Sequence, residues 1–85
     1  MFKYIFLGRP EVDTLSGSAY ANMKEIRVRF ARQVWRFAFA FDPTQSAIIL
    51  CGGDKQGMNE ALFYKQLINK ADARFAAWLK GKKND

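Results

Sequence analysis

Histidine is absent from this 85-residue sequence, and cysteine occurs once, at Cys51. Without histidine there is no Ser-His-Asp triad, no Cys-His pair and no His-ligated zinc site. One cysteine cannot close an internal disulfide, which excludes a stapled secreted scaffold. Read simply, Cys51 is a small buried hydrophobe. Acidic residues are scarce beside basic ones: 8 Asp and Glu against 14 Lys and Arg, a net charge of +6. That charge speaks for attraction to anionic partners and says nothing of fold. No apolar run approaches the roughly 18 residues of a membrane span. Residues 1–7 carry one charge and a short apolar stretch, without a full signal-peptide core or cleavage site. The expected location is the cytoplasm, with no membrane partner. Chemistry at neutral pH falls to Lys, Arg, Tyr, carboxylates or backbone groups, with no metal and no cofactor expected.

What is present is a globular composition, 49% apolar and 15% aromatic. The length fits one small domain over 1–85, since domains usually run to about 100–200 residues. Residues 1–7 favour β structure and end at Gly8-Arg9-Pro10, where proline can neither donate to a ladder nor continue a helix. Residues 10–21 hold Pro, Ser, Gly, Thr and Asp, and read as an ordered loop. From Asn22 to Phe30 the pattern alternates, with Ile26, Val28 and Phe30 on one side and Glu25, Arg27 and Arg29 on the other. Val34 to Phe41 alternates again. The row Trp35, Phe37, Phe39 and Phe41 is the expected core face; Val34, Arg36, Ala38 and Ala40 point the other way. Asp42 to Gln45 is a turn, and Ser46 to Cys51 suits a strand covered on both faces.

Gly52 to Gly57 reads as a glycine-rich loop carrying Lys55. From about Asn59 to Lys80 the spacing is helical, through Tyr64, Leu67, Ile68, Ala71, Phe75, Trp78 and Leu79. Asn59 is placed to cap that helix and Gly81 to end it, with a frayed tail after it. The fold class is α+β: a small antiparallel meander of three or four strands packed with a long C-terminal helix.

The positive charge collects on two strands and one loop. Arg27 and Arg29 share a strand side, Arg36 lies on the next strand in a trough of alanines, and Lys55 follows the third. Arginine and lysine contact phosphates, and a glycine loop lets backbone N–H groups approach one. Tyr64 and Lys65 lie one turn into the helix, where Tyr64 is placed to stack on a base or transfer a proton. Each feature has a plainer reading: arginines on an exposed strand are ordinarily just solvated, and Tyr64 also fits the packed stripe of the helix.

Three segments in order carry a more specific signal. "GRPEVDTLSGSAYANMKEIRVRF", "VWRFAFAFDPTQSAIILCGGDKQG" and "FYKQLINKADARFAAWL" resemble the RelE/ParE superfamily of bacterial toxins, in its HigB-like branch. The resemblance covers nearly all of the chain after residue 7. It implies a RelE-like fold and the toxin of a type II toxin-antitoxin system, a ribosome-dependent mRNA endonuclease that inhibits translation. The implied partners are mRNA, the ribosome and a cognate antitoxin, expected to be a helix-turn-helix protein. Carried over by position, the catalytic candidates are Arg36, Lys55 and Tyr64. The RNA-binding candidates are Lys24, Arg27, Arg29 and Lys65, and Glu25 occupies a place that is basic in some relatives. Relatives carry a first strand and a helical hairpin before this region, and here only residues 1–7 precede Gly8. That shortening would bare one sheet face, so homodimerisation or dependence on the antitoxin is expected. Two other readings stay open: an inactive remnant that binds antitoxin or nucleic acid, and a gyrase inhibitor like the ParE branch.

Overall fold

The computed structural model describes residues 11–83; the strand expected within 1–7 and the last two residues lie outside that range. Four strands, β1 (Glu11–Thr14), β2 (Lys24–Phe30), β3 (Gln33–Phe41) and β4 (Ala47–Asp54), are followed by the helix α1 (Glu60–Lys83). The strands form one antiparallel sheet in chain order, as the meander reading expects. The α+β class therefore stands.

β2 and β3 form where the sequence alternates, and their register pairs Ile26 with Phe37 and Arg27 with Arg36. Their connection is a two-residue turn, Ala31-Arg32, closed by the Phe30–Gln33 pair. Both turn residues adopt positive φ, 54° and 65°. A tight hairpin needs that geometry, which Asn-Gly adopts with far less strain than Ala-Arg. Replacing Ala31→Asn together with Arg32→Gly should raise stability by about 1–2 kcal/mol, read as a higher urea midpoint at unchanged slope.

Three local readings are corrected. Glu11–Thr14, expected as loop, is a strand paired with β2, Glu11 opposite Arg27 and Thr14 opposite Lys24. Gly52, Gly53 and Asp54, also expected as loop, continue β4 opposite Phe37, Arg36 and Trp35. Gly52 serves there because the Phe37 ring lies over it: a Cβ would stand 2.2 Å from the ring. Gly52→Ala is expected to cost about 1–3 kcal/mol by overpacking, measured as a lowered melting temperature. Finally, β4 is not covered on both faces. A register shift falls between Ala38, opposite Cys51, and Phe39, opposite Ile49; Leu50, skipped at the shift, is buried while Ile49 is 69% exposed. Arg74 Nη1 donates to the Leu50 carbonyl at 2.7 Å, satisfying a group next to the irregularity.

The helix starts as expected: Asn59 Oδ1 accepts from Leu62 N–H at 3.1 Å, and Glu60 lies in the first turn, where the helix dipole favours a negative charge. Gly81 does not end it, and the helix runs on to Lys83. Phe63, Leu67, Ala71 and Phe75 form its buried stripe. They lie on Ala38, Ala40 and Leu50, joined by Leu15 and Met23 from the β1–β2 loop. The core therefore sits on the alanine face of β3, not on the Trp35/Phe37/Phe39/Phe41 row. Small alanines admit the helix closely, and the helix phenylalanines supply the volume. On the opposite face Phe41 and Phe30 are exposed.

Two polar anchors hold the second half of the helix. Asp72 accepts from Ser18 Oγ and from the Ala19 N–H. Buried Asp42 accepts from the Thr44 and Ser46 N–H groups and from Trp78 Nε1.

Candidate nucleic-acid interface

Helix docking puts the first turns of α1 over the arginine end of β3. Arg36 Nε donates to the Tyr64 hydroxyl at 2.9 Å. Its guanidinium carbon lies 5.9 Å from the Tyr64 ring centre and 6.0 Å from that of Phe63, at the outer reach of a cation–π contact. The guanidinium is thus fixed from one side by aromatic neighbours; Nη1 donates to the Val34 carbonyl at a long 3.5 Å, and the fork keeps further donors for a ligand.

Arg36 faces a concavity of about 220 Å3, with Arg32, Lys55 and Asp54 also on its wall. Three cations around one small hollow suit a phosphate group. The side chain of Asp54 is turned to its own loop, where it accepts from the Gln56 N–H at 3.0 Å. Lys55 is 3.8 Å from Glu60, a long surface pair that leaves its ammonium largely at liberty. Arg32 was not among the candidates read from the sequence. Its only signal there is its place in the short link between two strands.

A second, wider concavity of about 650 Å3 is walled by Asp13, Ser16, Glu25, Arg27 and Tyr64 among others. Burial is the main cause that pushes the Tyr64 phenol above its ordinary pKa. The neighbouring Glu25 carboxylate pushes the same way, and the Arg36 hydrogen bond opposes it. At neutral pH the phenol therefore keeps its proton and is equipped to donate it.

The remaining candidates separate. Arg27 is bound by Glu11, Asp13 and Glu25 together, which raises its pKa above the ordinary value. Its charge is spent within the protein. Lys24 lies on the opposite face of β2 and donates to Thr14 Oγ1 at 3.0 Å, away from Arg36. Arg29 shares the Arg27 side and pairs across to Val34, exposed to solvent. Lys65 is exposed on the helix beside Tyr64. So Arg36, Lys55 and Tyr64 come together, while Lys24 and Arg27 do not join them as free cations. Glu25, on β2, was also not a site candidate. Strand alternation puts it on the Arg27 side, yet nothing in one sequence marks it as buried. Among the described residues no group of three or more His, Cys, Asp or Glu is arranged to hold a metal ion, and no helix is long and apolar enough to cross a membrane.

Comparison with known proteins places these residues in a family. No solved structure matches the chain. Two Mycobacterium tuberculosis proteins named as toxin candidates do. The one named HigB3 is 48% identical over 73 residues, 86% of this chain and 61% of that protein. The one named HigB2 is 45% identical over 74 residues, 86% of this chain and 36% of that protein. The chain thus spans between a third and two thirds of the length of these relatives. The pattern of the phage-derived Gp49-like proteins matches residues 2–76, and with it the described sheet, Arg36, Lys55 and Tyr64, so the chain belongs to the Gp49-like family.

Proposed function

We propose that this protein is the toxin of a type II toxin-antitoxin system, of the RelE/ParE kind, that cleaves mRNA on the ribosome in the cytoplasm. The observation that carries the reading is the Arg36–Tyr64 pair: a fixed guanidinium at a basic hollow, hydrogen-bonded to a phenol that holds its proton. Cleavage of RNA by its own 2′-hydroxyl places extra charge on the phosphate and needs a proton delivered to the departing 5′-oxygen. Arg36, with Lys55 and Arg32 around the same hollow, stabilises that charge in the transition state. Tyr64 supplies the proton. The names of the two mycobacterial relatives support the toxin role, and such a toxin implies an antitoxin partner.

Mapping transcript ends by primer extension after induction, in a host lacking the antitoxin, tests this. Growth arrest with cuts in translated frames is the expected result. Arrest with DNA damage and no cuts would turn the assignment to gyrase inhibition. Neither arrest nor cuts would leave a binding remnant.

A further inference from the structure

The sheet face away from the helix carries the Trp35/Phe37/Phe39/Phe41 row. Register extends it on both sides: Val12 and Ile26 lie in line with Phe37, and Ile49 lies opposite Phe39. Phe39 and Phe41 meet edge to face, so the row is packed within itself. The buried core and α1 are on the other face, and no described element lies over this one. Phe30 and Ile49 are 64% and 69% exposed, and Val12 and Phe41 about half. A contiguous apolar patch on this scale marks an interaction surface. Charge is as unevenly placed as the apolar area. Among the described strand residues, register puts only Lys24 and Asp54 on this side, and Asp54 is turned to its own loop. Arg36 and Lys55 line the basic hollow and Lys65 is on the helix, in a chain that carries +6 in all.

We propose that this face is where two copies of the chain meet, sheet on sheet about a two-fold axis. Apolar sheets pack face to face about 10 Å apart, the side chains of both filling one layer. Strands of four to nine residues, about 4.8 Å apart and rising about 3.4 Å per residue, give the face about 450 Å2 in projection. With the relief of its aromatic rings, two such faces bury about 1,200 Å2 together, enough for a specific interface. Electrostatics favours this face for self-association. Two chains of +6 repel where their basic surfaces approach, and a nearly uncharged face spares them that. The pair stacks as helix, sheet, sheet, helix, so the Arg36 hollow of each copy stays open on the outside. The proposal does not depend on the ribonuclease reading.

Sedimentation equilibrium of the full chain tests it, with an expected mass twice the 9.8 kDa of one chain. Phe30→Lys with Ile49→Lys puts charge on the two most exposed apolar positions of the face, and should raise the dissociation constant by about 10²-fold or more. Both side chains are mostly exposed in the single chain, so circular dichroism should not change. Val12→Lys, on the short edge strand, carries the comparison if the double variant unfolds. Leu62→Lys, at an exposed apolar position of the helix, should leave the dimer intact. A monomer at every concentration, open-ended aggregation, or a dimer that the face lysines leave intact would overturn the proposal. Two further results would also overturn it by giving the face another occupant. One is a monomer that self-associates only when Phe2 and Phe6 are replaced by serine, which assigns the face to the chain's own first residues. The other is a monomer that binds an antitoxin one to one and loses it with the face lysines.

Discussion

Arg36→Ala should leave a folded protein whose RNA cleavage on programmed ribosomes is slower by about 10³-fold. Arg36 stands at the joint of the site. Its guanidinium is on the wall of the basic hollow, and its Nε orients the Tyr64 hydroxyl. Removing it takes away stabilisation of the charged phosphate and the fixed direction of the proton donor at once. The core beneath does not depend on it, because Ala38, Ala40, Phe63 and Leu67 fill that space. Single-turnover kinetics should put the loss in the chemical step more than in ribosome binding. Arg36→Lys should recover only part of the rate, since an ammonium keeps the charge but lacks the planar fork and the Nε donor. An alanine variant that stays folded and still arrests growth would remove Arg36 from the mechanism.

Arg27→Met should act on stability, by about 3 kcal/mol. The side chain of Arg27 is 25% exposed and meets three carboxylates, of which only Glu25 is buried. Glu11 and Asp13 are more than half exposed, so each outer pair should add less than about 1 kcal/mol. The main cost is Glu25 left buried without its counter-ion. For a domain of this size total stability is of order 5–10 kcal/mol, so the loss should be plain in urea unfolding. Adding Glu25→Gln to Arg27→Met should restore at least about 1 kcal/mol, because the uncompensated charge is gone. A double variant no more stable than Arg27→Met would count against this account.

The two arginines show what separates reading from seeing. In the sequence Arg27 and Arg36 are equivalent, basic residues on neighbouring strands with matched alternation. They are even direct cross-strand partners. Their roles diverge because β1 brings Glu11 and Asp13 to one, and the helix brings Tyr64 to the other. A four-residue strand has too little pattern to announce itself, and Tyr64 lies 28 positions from Arg36.

Local physics fixed much from the sequence alone. Period-two alternation determined β2 and β3, and spacing of three and four determined the helix. The Asn59 side chain marked where that helix starts. Those features depend on residues a few positions apart, so one sequence contains them. Which face of the sheet became the core was decided only in three dimensions. Both faces of β3 carry apolar side chains, and the choice fell to close docking, which small Ala38 and Ala40 allow. The same docking buried Glu25 and set it beside Tyr64 on the wall of the wider concavity. Burial of a charge is a property of what packs over it, and residues far along the chain supply that cover.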